Sequence, residues 1–205
     1  MPKCFVPTPI HGIIGFILSI HSLIHLSTLL LFNKPYGVVC QFSGTEHEQT
    51  LADFIKRPGF YAAGRLDKNS EGLLILTNEG RIQHQLTHPR FHKQKYYWVQ
   101  VEGQPEERDL MPLREGILIG GVHYRPAKVR LIEEPKLWPR NPPIRFRKNI
   151  PTTWLEVILS EGKNHQVRKM TAAIDFPTLR LVRHRIAQWS LGDLKPGEYQ
   201  VIEME

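Results

Sequence analysis

Residues 62–80, AAGRLDKNSEGLLILTNEG, constrain this chain more than any other stretch. An apolar run, residues 73–76, is entered from a polar turn and left through Thr77 and Asn78. Gly64, Gly72 and Gly80 punctuate it, as suits a backbone that must bend sharply between strands. The pattern predicts a β-turn-β unit. At its turn Asp67 stands with Arg65 before it and Lys68 after it, so one carboxylate is presented among cations. An Asp in such a turn is, on these grounds alone, more often a turn former than a catalyst. The rest of the chain has to decide.

A length of 205 residues allows one large domain or two small ones, with a real core. The net charge of +7 calls for an anionic partner, nucleic acid first. Cys4 and Cys40 form neither a C-x-x-C pair nor a disulfide framework, which fits a reducing cytoplasm. The sequence has no H-E-x-x-H, no Cys/His cluster at metal-ligand spacing, no dinucleotide fingerprint and no phosphate-loop lysine motif. The chemistry is therefore expected to need neither a metal nor a nucleotide cofactor.

Residues 13–32 carry no charge and reach the roughly 20 residues that span a bilayer. A cleavable leader is not indicated, because Lys3 is the only nearby cation and no Ala precedes Ala52. A membrane span is opposed by residues 29–32, which read as a core strand leading into Asn33-Lys34-Pro35-Tyr36-Gly37-Val38. Three readings of the tract stay open: a start placed too far upstream, a helix docked on the domain, and membrane contact. The working division is an apolar extension at 1–27 and a globular domain at 28–205, with no membrane contact expected.

Further along, residues 51–59 predict a turn or two of helix, and residues 81–89 a helix ended by Pro89. Residues 95–103 alternate with β-branched and aromatic side chains and predict a strand. Residues 105–116 predict a helix with acids in its first turn and Gly116 near its end. Residues 117–133 suggest two strands about Gly120-Gly121 and a Tyr-Arg-Pro turn. Residues 152–159 and 178–185 predict strands, the second with Leu181, Arg183 and Arg185 on one face. Residues 189–202 would close the sheet. The irregular interleaving of helices and hairpin-like strands implies an α+β fold with a mixed, mostly antiparallel sheet.

Two stretches suggest an RNA partner. Residues 138–151, WPRNPPIRFRKNIP, hold four prolines and the cations Arg140, Arg145, Arg147 and Lys148, with no acid. They read as a rigid surface loop or as a stiff arm whose Trp138 and Phe146 stack on bases. Residues 161–170, EGKNHQVRKM, put Lys163, His165, Arg168 and Lys169 at the start of a helix. Cations there oppose the helix dipole, so an anion is expected: a phosphate, or the Asp67 carboxylate itself.

Four motifs in this order, N-K-P-Y-G-V (33–38), G-R-L-D-K-N-S-E-G-L-L-I-L-T-N-E-G (64–80), K-Y-Y-W-V (95–99) and E-G-K-N-H-Q-V-R-K-M…L-R-L-V-R (161–183), resemble the RsuA family of ribosomal-RNA pseudouridine synthases. The resemblance runs from about residue 28 to the end, and the basic loop points to the branch acting on large-subunit (23S) rRNA. It implies that Asp67 is the essential carboxylate, that Tyr97 packs against the target base, that Arg168 pairs with Asp67 and that Leu181 lines the pocket. Lys95 and Arg183 would lie nearby. Arg65, Lys95, Arg183, Lys163, His165, Lys169 and the arm cations would meet RNA. It implies no metal and no cofactor; separately, the chain is expected to be a monomer. Many relatives carry an S4-type RNA-binding domain, for which residues 1–27 are too short and too apolar. Target selection is then expected to fall on the catalytic domain. The rival reading is a basic rRNA-binding module of ribosome assembly without chemistry.

Overall fold

In chain order the elements are β1 (Ser27–Lys34), β2 (Tyr61–Ala62), β3 (Glu71–Thr77), α1 (Gly80–Thr87), β4 (Lys95–Glu102), α2 (Met111–Glu115), β5 (Ile117–Ile119), β6 (Val122–Tyr124), β7 (Lys128–Ile132), β8 (Thr152–Leu159), α3 (Gln166–Ala173), β9 (Thr178–Ile186), β10 (Trp189–Ser190) and β11 (Tyr199–Met204). They are taken from a computed structural model, which describes residues 27–204. One sheet runs in the order β11-β1-β3-β9-β4-β8-β7, with β2 beside β3 and β10 beside β9. Among the described residues only β3 and β9 pair in parallel, and every other pairing is antiparallel. The expected α+β architecture with a mixed, mostly antiparallel sheet is what forms.

The strand sequences explain how the sheet is covered. Strands β1 and β3 read as unbroken apolar runs because both of their faces are buried. Leu29, Leu31, Leu73 and Ile75 enter one core cluster, while Leu30, Phe32, Leu74 and Leu76 enter another. Strand β4 alternates instead: Tyr97, Val99 and Val101 face the largest core cluster, and Tyr96, Trp98 and Gln100 are half-buried on the other face. The expected strand at residues 29–32 is therefore real and central. Residues 13–26 of the apolar tract lie outside the described residues, so its three readings are untouched. No helix among the described residues is long and apolar enough to cross a membrane.

Three expectations need correcting. The helix expected over residues 105–116 divides into a 3-10 turn, Glu107–Leu110, and the short α2. Pro112 explains the division, since its ring lacks an N–H and clashes with the carbonyl four residues back. Residues 117–133 hold three strands, because Lys128–Ile132 continues past the turn to pair with β8. On β9, Tyr97 pairs with Arg183 but Tyr96 with Arg185, so an extra residue bulges the strand at His184. Ile186, not Arg185, consequently joins Leu181 and Arg183 beside the cleft described below, and Arg185 lies over the Tyr96 ring at 4.8 Å.

The parallel contact is short and tight. Glu71 and Gly72 register with Val182 and Arg183. Gly72 has φ +100°, and a Cβ built there would lie 2.3 Å from Arg183 O, so only glycine fits. Beside it Glu71, 1% exposed, accepts two hydrogen bonds from the Arg180 guanidinium, each 2.9 Å, and a third from Trp138 Nε1 at 2.9 Å. Removing one partner of a buried, hydrogen-bonded pair leaves the other charge uncompensated and costs about 3 kcal/mol or more. We expect Glu71→Gln to lower stability by that amount in urea unfolding. An unchanged midpoint would show that the pair adds no net stability.

Candidate active site

Between β2 and β3, residues 63–70 form the loop that carries Asp67, and its carbonyls are claimed one after another. Arg183 donates through Nη1 to Arg65 O at 3.4 Å and through Nε to Leu73 O at 2.8 Å. Ser70 N closes a turn on Asp67 O at 3.0 Å, and Gly37 N donates to Lys68 O at 2.9 Å. Arg168 Nη2 donates to Asn69 O at 2.6 Å. Leu66 N donates to Cys40 Sγ at 3.2 Å. The turn after β1, strand β9 and helix α3 thus hold the loop together.

Lys34, the last residue of β1, belongs to the same anchorage. It is fully buried, and its ammonium donates to Pro35 O at 2.8 Å, Val38 O at 2.7 Å and Lys68 O at 3.4 Å. Burial lowers its pKa to about 8, against the attraction of Cys40 and Glu71.

Asp67 opens onto a cleft of about 600 Å³. Arg65, Lys95, Tyr97, Lys163, His165, Leu181 and Arg183 line it as well, and Ile186 closes its apolar wall. Tyr97 is 8% exposed, with its ring shared between the cleft and the main core. Burial and then the nearby Arg183 charge lower the Lys95 pKa. His165, at the N-cap of α3 in a left-handed conformation (φ 52°), brings Nε2 to 3.5 Å from Asp67 Oδ1. Of the two anions expected at this helix start, the Asp67 carboxylate is the one the fold supplies.

Arg168 departs from expectation. Its guanidinium makes no direct ion pair with Asp67; it reaches Asn69 O and Thr178 O, the second at 3.4 Å. The fork is occupied by one carbonyl of the loop and one at the start of β9, so Arg168 meets the carboxylate only at longer range. Its pKa is lowered chiefly by burial, and Asp67 is the leading charge opposing that shift.

Several expected RNA cations are engaged within the fold. Lys163 turns to His123 O, to Glu161 at 3.5 Å and to the Tyr124 ring at 5.2 Å. Glu161 Oε1 in turn accepts from Arg125 N and Gln166 Nε2, which staples the turn before α3. In the arm, Trp138 is tied to Glu71, and Arg140 lies over Tyr36 while donating to Pro142 O, Pro143 O and Leu179 O. Arg147 pairs with Glu102 at 3.2 Å. Arg145, Phe146 and Lys148 are left exposed, Phe146 at 84%. Lys169 is exposed too, outside the cleft. Lys34, Cys40, Glu71, Glu161 and Gln166 were given no role from sequence. The available signal for Lys34 was a lone cation closing an apolar strand before a proline.

The fold, the cleft and the four motifs define an RNA pseudouridine synthase. The sequence profile described as RNA pseudouridylate synthase matches residues 28–173, and the chain belongs to that family. It is 54% identical to the ribosomal large subunit pseudouridine synthase E of Xanthomonas campestris pv. campestris, over 84% of this chain and 94% of that protein. It is 52% identical to the protein of the same name from Vibrio parahaemolyticus serotype O3:K6, over 86% of this chain and 74% of the relative. A solved pseudouridylate synthase, 29% identical, superposes with a TM-score of 0.71 over 86% of this chain and 70% of its own.

The depressed Lys34 pKa gives a signed prediction. The folded state releases this proton near pH 8 and the unfolded chain near 10.5, so the unfolded state binds more protons in between. Stability from this group therefore rises with pH across that window, by as much as about 3 kcal/mol. We expect wild type to gain on Lys34→Met between pH 8 and 10.5 in parallel denaturant titrations. A constant difference would mean that the buried amine does not titrate there.

Proposed function

We propose that the chain converts a uridine of large-subunit (23S) ribosomal RNA into pseudouridine, with Asp67 as its reactive carboxylate and without a metal or cofactor. The observation that carries this reading is the Asp67 carboxylate, held in a loop whose Arg65, Asp67, Lys68 and Asn69 carbonyls are each hydrogen-bonded. It lies in a cleft that Arg65, Lys95, Arg183 and the Tyr97 ring also line, while Glu161, the other carboxylate of that lining, is taken up by Arg125 N and Gln166. The names of the relatives that share more than half of the aligned residues support the choice of large-subunit RNA.

The reaction breaks the N1–C1′ bond, turns the uracil within the cleft and joins C5 to C1′. The C5 proton then leaves and the C5–C6 double bond is restored. A carboxylate can begin this by attacking sugar or base, or by abstracting a proton, and all three need it held against the nucleotide. The uridine must first leave its stack, at a cost of a few kcal/mol. Tyr97 offers it a π-face, and Leu181 with Ile186 an apolar wall. Arg168 and Arg183 act through the loop they hold. Arg65 and Lys95 lie where phosphates or uracil carbonyls would pass. The arm adds an outer contact through Arg145, Arg147 and Lys148. A cytoplasmic monomer suffices for this work.

Tritium release from rRNA labelled at uridine C5 tests the proposal. Wild type should release tritium, and Asp67→Asn should lose at least about a thousandfold in rate while keeping its RNA affinity. Turnover by Asp67→Asn at the wild-type rate would remove Asp67 from the mechanism. For the arm, Arg145→Ala with Arg147→Ala should weaken RNA binding and reduce the salt slope by roughly one unit or more. An unaltered slope would leave the arm a structural linker.

A further inference from the structure

Besides Arg65 and Lys95, one edge of the cleft carries cations on an element with no assigned part. From Gly80 to Val101 the sequence holds no acid. Within that run, α1 and the 3-10 turn Pro89–Phe91 form one edge of the cleft, where Thr87, His88, Pro89 and Lys93 line it. His84 and His88 lie on successive turns of the helical segment, their ring centroids 4.8 Å apart. Phe91 meets both edge-on, at 5.7 and 6.3 Å, and the Arg90 guanidinium lies 4.6 Å over the Phe91 ring. His84, His88 and Arg90 are exposed. Among the described residues, Arg81, Arg90 and Lys93 make no ion pair, whereas Lys68, Arg147 and Lys163 each do.

We propose that this ridge is a docking track for the single-stranded RNA that adjoins the target uridine. The inference rests on the function proposed above. Charge names the partner, since a solvent-facing strip of cations without counter-ions is complementary to a polyanion. The rings narrow the choice to an unpaired strand, because imidazole and phenyl faces can stack only on bases that a duplex keeps hidden. Geometry connects the two. His88 belongs both to the ring cluster and to the wall of the cleft, so a strand leaving the cleft meets the ridge at once. The clustered rings hold one another in place, which reduces the ordering lost on binding.

Anisotropy binding to a single-stranded oligouridylate and to an RNA duplex of equal length, over a range of salt, tests the track. Wild type should favour the single strand. His84→Ala with His88→Ala should weaken single-strand binding about tenfold, and Arg81→Ala with Arg90→Ala should do so while lowering the salt slope by roughly one unit. Duplex binding should change far less, and thermal melting should confirm that the variants fold. In tritium release the Arg81→Ala with Arg90→Ala variant should raise KM and keep most of kcat. Wild-type affinity in both double variants would overturn the track, as would equal losses for single strand and duplex. If wild type releases no tritium from unmodified rRNA, the proposed reaction fails, while the binding comparison still decides the track.

Discussion

Two backbones touching at Gly72 and Arg183 set the position of everything around Asp67. No side chain fits between them, and the contact is only two residues long. It still joins the halves of the sheet, because β1 and β11 lie on one side of it and β4, β8 and β7 on the other. The residues at this seam also do the outlying work. Arg183 reaches back to Leu73 O and across to Arg65 O. Glu71 binds Arg180 and receives Trp138 from the arm. The Asp67 loop hangs from the seam, with Lys34 and Gly37 supporting it from one side and Arg168 from the other. In the proposed reaction such a carboxylate needs little rearrangement when a substrate arrives, which is the economy that preorganised sites exploit.

The same architecture explains why a net charge of +7 is a poor map of the binding surface. Lys34, Arg168, Arg180 and Arg183 serve carbonyls and a buried carboxylate. Lys163 and Arg140 hold loops in place. These cations build the site. Among the described residues, the cleft edge and the arm's tip are two places where exposed cations stand without a counter-ion.

How much of this was legible depended on the kind of interaction. Hydrophobic patterning marked β1, β3, β4 and β8, since unbroken or alternating apolar runs translate directly into strands buried on two faces or one. Motif order led to Asp67, Tyr97 and Leu181, which the fold brings into one cleft. The partner of Arg168 was not readable. Asn69 O and the Asp67 carboxylate lie two residues apart, and no sequence rule says which of them a guanidinium will take. Pro112 did carry the signal that breaks the helix over residues 105–116, but the acids and Gly116 outweighed it. The bulge at His184 has no sequence signature at all, because it follows from pairing β9 with two neighbours at once. Of the ridge at residues 81–93, only 81–89 was read, as a plain helix, although the lack of acids was visible throughout.

Strand β1 lies between β3 and β11, with Ser27 opposite Met204. The polypeptide therefore enters and leaves this body at neighbouring points. Lys34, at the far end of the same strand, supports the Asp67 loop, so these points lie about one strand length, roughly 23 Å, from that support. Two domains fused by design at Ser27 and at Met204 would therefore depart from a common corner and crowd each other there, about one strand length from the Lys34 support.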